Sequence, residues 1–194
     1  MNEQEQAQLG ERVITQVEIE NRVKQVGQAI NRDYQGEQPV VVSILKGAVY
    51  FTVDLTRTFT FPFDLEFVAL SHFKPGLNRV EIEKDLDREV QNRHLLLIED
   101  IVDTGLTLNF LLSVLRERMP DSIRICTFLD CPKRRIADIP VDYRCFEIPD
   151  IFVVGYGLDF QGKFRNLLEV WTLFDPSGRS TQILKEMGKK GELK

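Results

Sequence analysis

The chain has few of the features that place a protein in a special class. No apolar run in its 194 residues approaches the roughly 20 needed to cross a bilayer, so no membrane span is expected. It has three cysteines, Cys126, Cys131 and Cys145, in neither an even count nor metal-ligand spacing. This predicts a reducing, cytoplasmic location. Positive charge is in deficit, with 25 Lys and Arg against 30 Asp and Glu and a net charge of −5, which excludes the general electrostatics of nucleic-acid binding. The first residues, Met1-Asn2-Glu3-Gln4-Glu5-Gln6, are polar and acidic, unlike a secretion signal. There is no internal repeat and no low-complexity linker.

What is present is ordinary globular material. Hydrophobic residues make up 43% and charged residues 28% of the chain, and the length suits one domain. Glu11 to Asn31 reads as a helix, with Val13, Val17, Ile19, Val23, Val26 and Ile30 roughly periodic. Val40–Leu45 is a buried strand rich in β-branched residues. A helix through Tyr50, Phe51, Val53 and Leu55 follows, then a strand from Phe63 to Leu70. Tyr50, Phe51, Phe59 and Phe61 suit either an interface between subunits or the core.

Ser71 to Arg93 is long, polar and charged, with an alternating Val80–Glu83 arm. Such a length between strands is unusual outside a functional lid. Later strands are expected at Leu95–Ile98, Ile123–Leu129, Val141–Phe146, Phe152–Tyr156 and Val170–Leu173, and the charged tail from Lys185 is expected to fray. Strands alternating with helices predict an α/β domain with a mainly parallel sheet.

The most informative stretch is Glu99-Asp100-Ile101-Val102-Asp103-Thr104-Gly105-Leu106-Thr107. It lies between the apolar run Leu95–Ile98 and a helix whose apolar face is Leu108, Leu111, Leu112 and Leu115. In open α/β sheets ligands bind at this end of the strands. Successive backbone N–H groups at a helix start, with the Thr104 and Thr107 hydroxyls, suit a phosphate, and Gly105 lets the backbone come close. Three carboxylates would repel a bare phosphate, so the ligand must also offer hydroxyls, a divalent cation or a proton. A sugar phosphate meets that requirement. The competing reading is an acidic cluster that caps the helix.

Two acids after an apolar strand, followed by Thr-Gly-x-Thr, resemble the phosphoribosyl-pyrophosphate (PRPP) motif of type I phosphoribosyltransferases. Two later runs are more specific: Arg134 to Tyr143 with Phe146-Glu147-Ile148-Pro149-Asp150, and Phe152 to Phe160 with Phe164-Arg165-Asn166-Leu167. Together they resemble the purine half of the hypoxanthine-guanine phosphoribosyltransferases. The resemblance covers Val40 to Leu173.

The fold it implies is α/β, with a central, mainly parallel sheet flanked by helices, a small hood region and a flexible lid loop. A single domain over 1–194 would have its core at about 35–175, the lid at 71–93 and the hood at 1–20 and 145–180. The function it implies is transfer of phosphoribose from PRPP to hypoxanthine or guanine, giving IMP or GMP and pyrophosphate in purine salvage. A homo-oligomer, dimer or tetramer, is implied too.

The resemblance also implies roles for single residues. Glu99 and Asp100 would contact the ribose hydroxyls, and Asp103, Thr104, Gly105, Leu106 and Thr107 the 5′-phosphate, with Asp103 also the catalytic base. Leu45, Lys46 and Gly47, in a loop with a non-proline cis peptide, would bind pyrophosphate together with Arg165. Phe152 would stack on the purine and Val153 would offer backbone groups to its edge. Asp159, with Glu99 and Asp100, would hold Mg2+.

The chain departs from the family pattern at two places. Cys131 stands where the family has a lysine that donates to the purine 6-oxo group, with Lys133 close by in sequence as a substitute. Ser71-His72-Phe73 replaces a Ser-Tyr pair in the lid. These departures motivate two alternatives: a PRPP- or nucleotide-binding regulator on the same fold, or transfer to a different base.

Overall fold

The computed structural model describes residues 8–71 and 80–190. In chain order the elements are β1 (Leu9–Ile14), α1 (Gln16–Asp33), β2 (Val40–Leu45), α2 (Val49–Thr56), β3 (Asp64–Leu70) and β4 (Ile82–Lys84). Then come β5 (His94–Val102), α3 (Leu106–Glu117), β6 (Ser122–Asp130), β7 (Tyr143–Glu147), β8 (Val153–Val154), β9 (Val170–Leu173) and α4 (Arg179–Lys190). The His72-Phe73 departure lies outside the described residues.

Six strands form one sheet in the order β4-β3-β2-β5-β6-β7. All neighbours are parallel except β3 and β4, which pair antiparallel at the edge. A second, three-stranded antiparallel sheet has the order β1-β9-β8.

Strand β5 shows why the large sheet is covered on both sides. Its side chains alternate between faces. Leu95 and Leu97 join the core that Leu108, Leu111, Leu112 and Leu115 of α3 complete. Leu96 and Ile98 join the opposite core, with Ile19, Val23, Val26 and Ile30 of α1 and Phe51 and Leu55 of α2. A strand buried on both faces has no polar positions until it leaves the layer, so Glu99 and Asp100 come at the open end of the sheet. Strand β5 itself runs past Ile98 to Val102, because pairing with β6 continues from Glu99↔Thr127 to Val102↔Asp130.

Two expectations need correction, and one open alternative resolves residue by residue. Residues 11–14 are not helical: Leu9, Arg12 and Ile14 pair with β9. The helix starts later, at a capping box in which Glu18 N donates to the Thr15 hydroxyl and Thr15 N donates to the Glu18 carboxylate. Thr-x-x-Glu was visible in the sequence, but the apolar period ran across it. Val17, counted in that period, is 65% exposed.

The chain from Lys185 is not frayed as far as Lys190, since α4 reaches that residue. Asp175 accepts hydrogen bonds from Ser177 N and Ser180 N before the helix, and Ile183 and Leu184 pack on the core. Finally, Phe51 and Phe61 are buried core residues, whereas Tyr50 is exposed.

Thr15→Ala is expected to cost about 1 kcal/mol in urea unfolding. Val17→Lys should change stability by less than about 0.5 kcal/mol. A large loss from Val17→Lys would restore the longer helix.

Candidate active site

The carboxyl ends of β2 and β5 open into a cavity of about 560 Å³. On one wall the chain leaves β2 through Lys46 and Gly47, and the Leu45–Lys46 peptide is cis. Gly47 lies against the acids of β5: a Cβ placed on it would stand 1.5 Å from Asp100 Oδ2. Only a residue without a side chain allows this approach.

The floor is acidic. Ile101 N donates to Asp100 Oδ1 at 2.7 Å and Asp100 N to Glu99 Oε1 at 3.2 Å. Burial, reinforced by the neighbouring carboxylates of Asp100 and Asp103, holds the Glu99 carboxyl well above its usual range. Asp103 follows directly after β5 and is half-buried.

The turn into α3 passes through Gly105 at φ 77°, in the left-handed region. The carbonyl of Thr104 accepts from Ile136 N and Ala137 N at 2.9 and 3.0 Å, tying this turn to the next segment. The N-terminus of α3 therefore faces the cavity with its first amides and the Thr107 hydroxyl, an arrangement suited to an anion.

The opposite wall is formed by Ile151, Phe152, Val153 and Leu158. Phe152 is 55% exposed and rests edge-on against Phe160 at 5.9 Å. It is a flat apolar ring left open to the cavity, the kind of surface on which a base stacks. Below it Arg165 pairs with Asp159 and donates to the Gly157 carbonyl at 2.7 Å, while Asp159 Oδ2 accepts from Gly162 N.

The cavity thus gathers Leu45, Lys46 and Gly47; Glu99, Asp100 and Asp103; Thr104, Gly105 and Thr107; and Phe152, Val153, Asp159 and Arg165. It does not gather Leu106, Cys131 or Lys133. Leu106 is exposed outside it. The Cys131 thiol is buried, approaches the Pro149 carbonyl at 3.5 Å and is pushed up in pKa by that burial. Lys133 is exposed in the short 3-10 turn Pro132–Arg134.

Sequence reasoning missed the division of labour in Arg134-Arg135. Arg135 is a strut: its guanidinium donates to the backbone carbonyls of Asp103, Val102 and Ile139 and pairs with buried Asp130. Arg134 lines the cavity and reaches Asp103 at 3.3 Å. Adjacent arginines at a turn were the available signal, but only the fold separates their directions.

Among the described residues no group of three or more His, Cys, Asp or Glu is arranged to hold a metal by protein ligands alone. The separate carboxylates of Asp159 and of Glu99 and Asp100 suit a cation that takes most of its ligands from water and phosphate oxygens, as Mg2+ does.

The model of the phosphoribosyl transferase domain family matches residues 13–161, and the chain belongs to that family. Within it, the chain is similar to hypoxanthine-guanine phosphoribosyltransferase of Bacillus subtilis, 42% identical over 158 residues that cover 80% of this chain and 88% of the relative. It is also similar to hypoxanthine phosphoribosyltransferase of Haemophilus influenzae, at 40% identity over 80% of this chain and 90% of the relative. Among solved structures, the hypoxanthine phosphoribosyltransferase of Staphylococcus aureus superposes with a TM-score of 0.85 at 40% identity, covering 90% of this chain and 96% of that one.

Gly47→Ala should cost about 1–3 kcal/mol in urea unfolding, because Asp100 or the loop must move. A second test uses pH. In the folded protein Glu99 keeps its proton above the ordinary carboxyl value of 4.5, whereas the unfolded chain loses it there. This component of stability is complete below that pH and is lost as pH rises toward the raised value. The Tm of Glu99→Gln relative to wild type is therefore expected to climb as pH rises above 4.5. Parallel curves would contradict the raised Glu99.

Proposed function

We propose that this protein transfers the 5-phosphoribosyl group from PRPP to a 6-oxopurine, hypoxanthine or guanine, releasing pyrophosphate and IMP or GMP, as a cytoplasmic enzyme of purine salvage. One observation carries the reading: the start of α3, an acid pair and an exposed aromatic ring line a single cavity. The names of its relatives point the same way.

In this reading the amides of 103–107 and the threonine hydroxyls hold the 5′-phosphate. Glu99 and Asp100 accept from the ribose hydroxyls and stabilise positive charge as the sugar gains oxocarbenium character. The backbone at Leu45, Lys46 and Gly47, with Arg165, receives the pyrophosphate. Phe152 stacks on the purine, a contact worth roughly 1–3 kcal/mol, and Val153 offers backbone groups to its edge.

The purine nitrogen forms the bond to ribose C1, the C1–oxygen bond to pyrophosphate breaks, and Asp103 takes the purine N7 proton. Mg2+, held by Asp159 and by Glu99 with Asp100, would neutralise the leaving pyrophosphate. A homo-oligomer is part of this reading, with exposed Tyr50 and Val53 of α2 available for contact. The regulator alternative gains nothing from Cys131, whose thiol does not line the cavity.

The test is nucleotide formation from PRPP and Mg2+ with hypoxanthine, guanine, xanthine and adenine in parallel. Turnover of hypoxanthine or guanine is expected, and Asp103→Asn should lower kcat by roughly 10²–10⁴-fold. No nucleotide from any base would overturn the reading.

A further inference from the structure

Three cations line the cavity among the described residues: Lys46, Arg165 and Arg134. Arg165 is committed to Asp159 and to the Gly157 carbonyl, and Lys46 belongs to the loop beside Gly47. Arg134 is held differently. Its Nη1 lies 3.3 Å from Asp103 Oδ2 and its Nε lies 3.6 Å from Asp150 Oδ1, two residues before Phe152. Both distances exceed the roughly 2.7–2.9 Å of a well-formed charge-assisted hydrogen bond. A guanidinium carries five N–H donors, so the two carboxylates aim this one without using up its donors. The side chain is about half exposed, toward the cavity it lines.

The Arg134–Asp103 pair presents a donor beside an acceptor. A 6-oxopurine that still carries its N7 proton presents the complement on one edge: an exocyclic oxygen that accepts, next to an N–H that donates. Resting on the function proposed above, we propose that Arg134 is the residue that selects the purine. Its guanidinium donates to the exocyclic oxygen while Asp103 accepts the neighbouring N7 proton. Arginine has no acceptor, so an amino group at the same position, as in adenine, meets donor against donor. That unpaired polar contact is the basis of discrimination. The residues around Arg134 are poorly placed to make this contact. The Cys131 thiol is turned to the Pro149 carbonyl, Lys133 does not line the cavity, and Arg135 is occupied by Asp130 and backbone carbonyls.

The experiment compares wild type, Arg134→Met and Arg134→Lys in steady-state turnover of hypoxanthine, guanine and adenine, and in calorimetric binding of IMP. Arg134→Met is expected to raise KM for hypoxanthine and guanine and to weaken IMP, each about tenfold to a hundredfold. KM for PRPP should stay within about twofold, and the preference over adenine should shrink by the same factor as the loss. Arg134→Lys, which keeps the charge and loses the fork, should recover part of that loss.

Purine KM and IMP affinity unchanged in Arg134→Met would overturn the assignment, as would an equal rise in KM for PRPP. The two readings fail separately. An active wild type with an indifferent Arg134→Met removes only this inference. A wild type that makes no nucleotide and does not bind IMP removes both.

Discussion

The crowding of Glu99, Asp100 and Asp103 at the end of a buried strand is the constraint around which the site is built. A strand buried on both faces delivers the first two to the open edge of the sheet, and the third follows immediately. Burial, reinforced by the neighbouring carboxylates of Asp100 and Asp103, holds the Glu99 carboxyl well above its ordinary range. The surroundings offset the charge with cations and oriented amides: the N-terminus of α3, Arg134, and backbone N–H bonds to Asp100 and Glu99. A ligand that brings hydroxyl donors or a divalent cation offsets the remainder, which is why a sugar phosphate fits better than a bare phosphate.

The rigidity of this acidic edge comes from behind it. Arg135 binds three backbone carbonyls, including those of Val102 and Asp103, and shares buried Asp130 with Arg144. The end of β5 is thereby fixed to β6 and β7 by charge-assisted contacts centred on buried Asp130. Gly47 presses the loop after β2 on Asp100 from the front. The two neighbours thus point differently, Arg135 into the scaffold and Arg134 toward the cavity.

Much of this was legible in the sequence. Apolar strands followed by polar turns implied the parallel sheet, and the order of acids, threonines and glycine picked out residues that line one cavity, because those features depend on local spacing. Residues 11–14 were illegible as a strand because their partner, β9, lies about 160 residues away and contributes nothing to local periodicity. Arg134 was illegible for a related reason. Two adjacent arginines look alike along the chain, and only the 3-10 turn that ends at Arg134 and the buried Asp130 that holds Arg135 give them different directions. Cys131 drew attention as a residue type, yet its burial removes it from the cavity.

The acidic edge of β5 as the PRPP site is the central claim. Calorimetric titration of PRPP with Mg2+ into wild type and into Glu99→Gln/Asp100→Asn tests it most directly. The expected result is binding by wild type that is at least about tenfold weaker in the variant. Failure of PRPP to bind wild type, or equal affinity in both proteins, would contradict it.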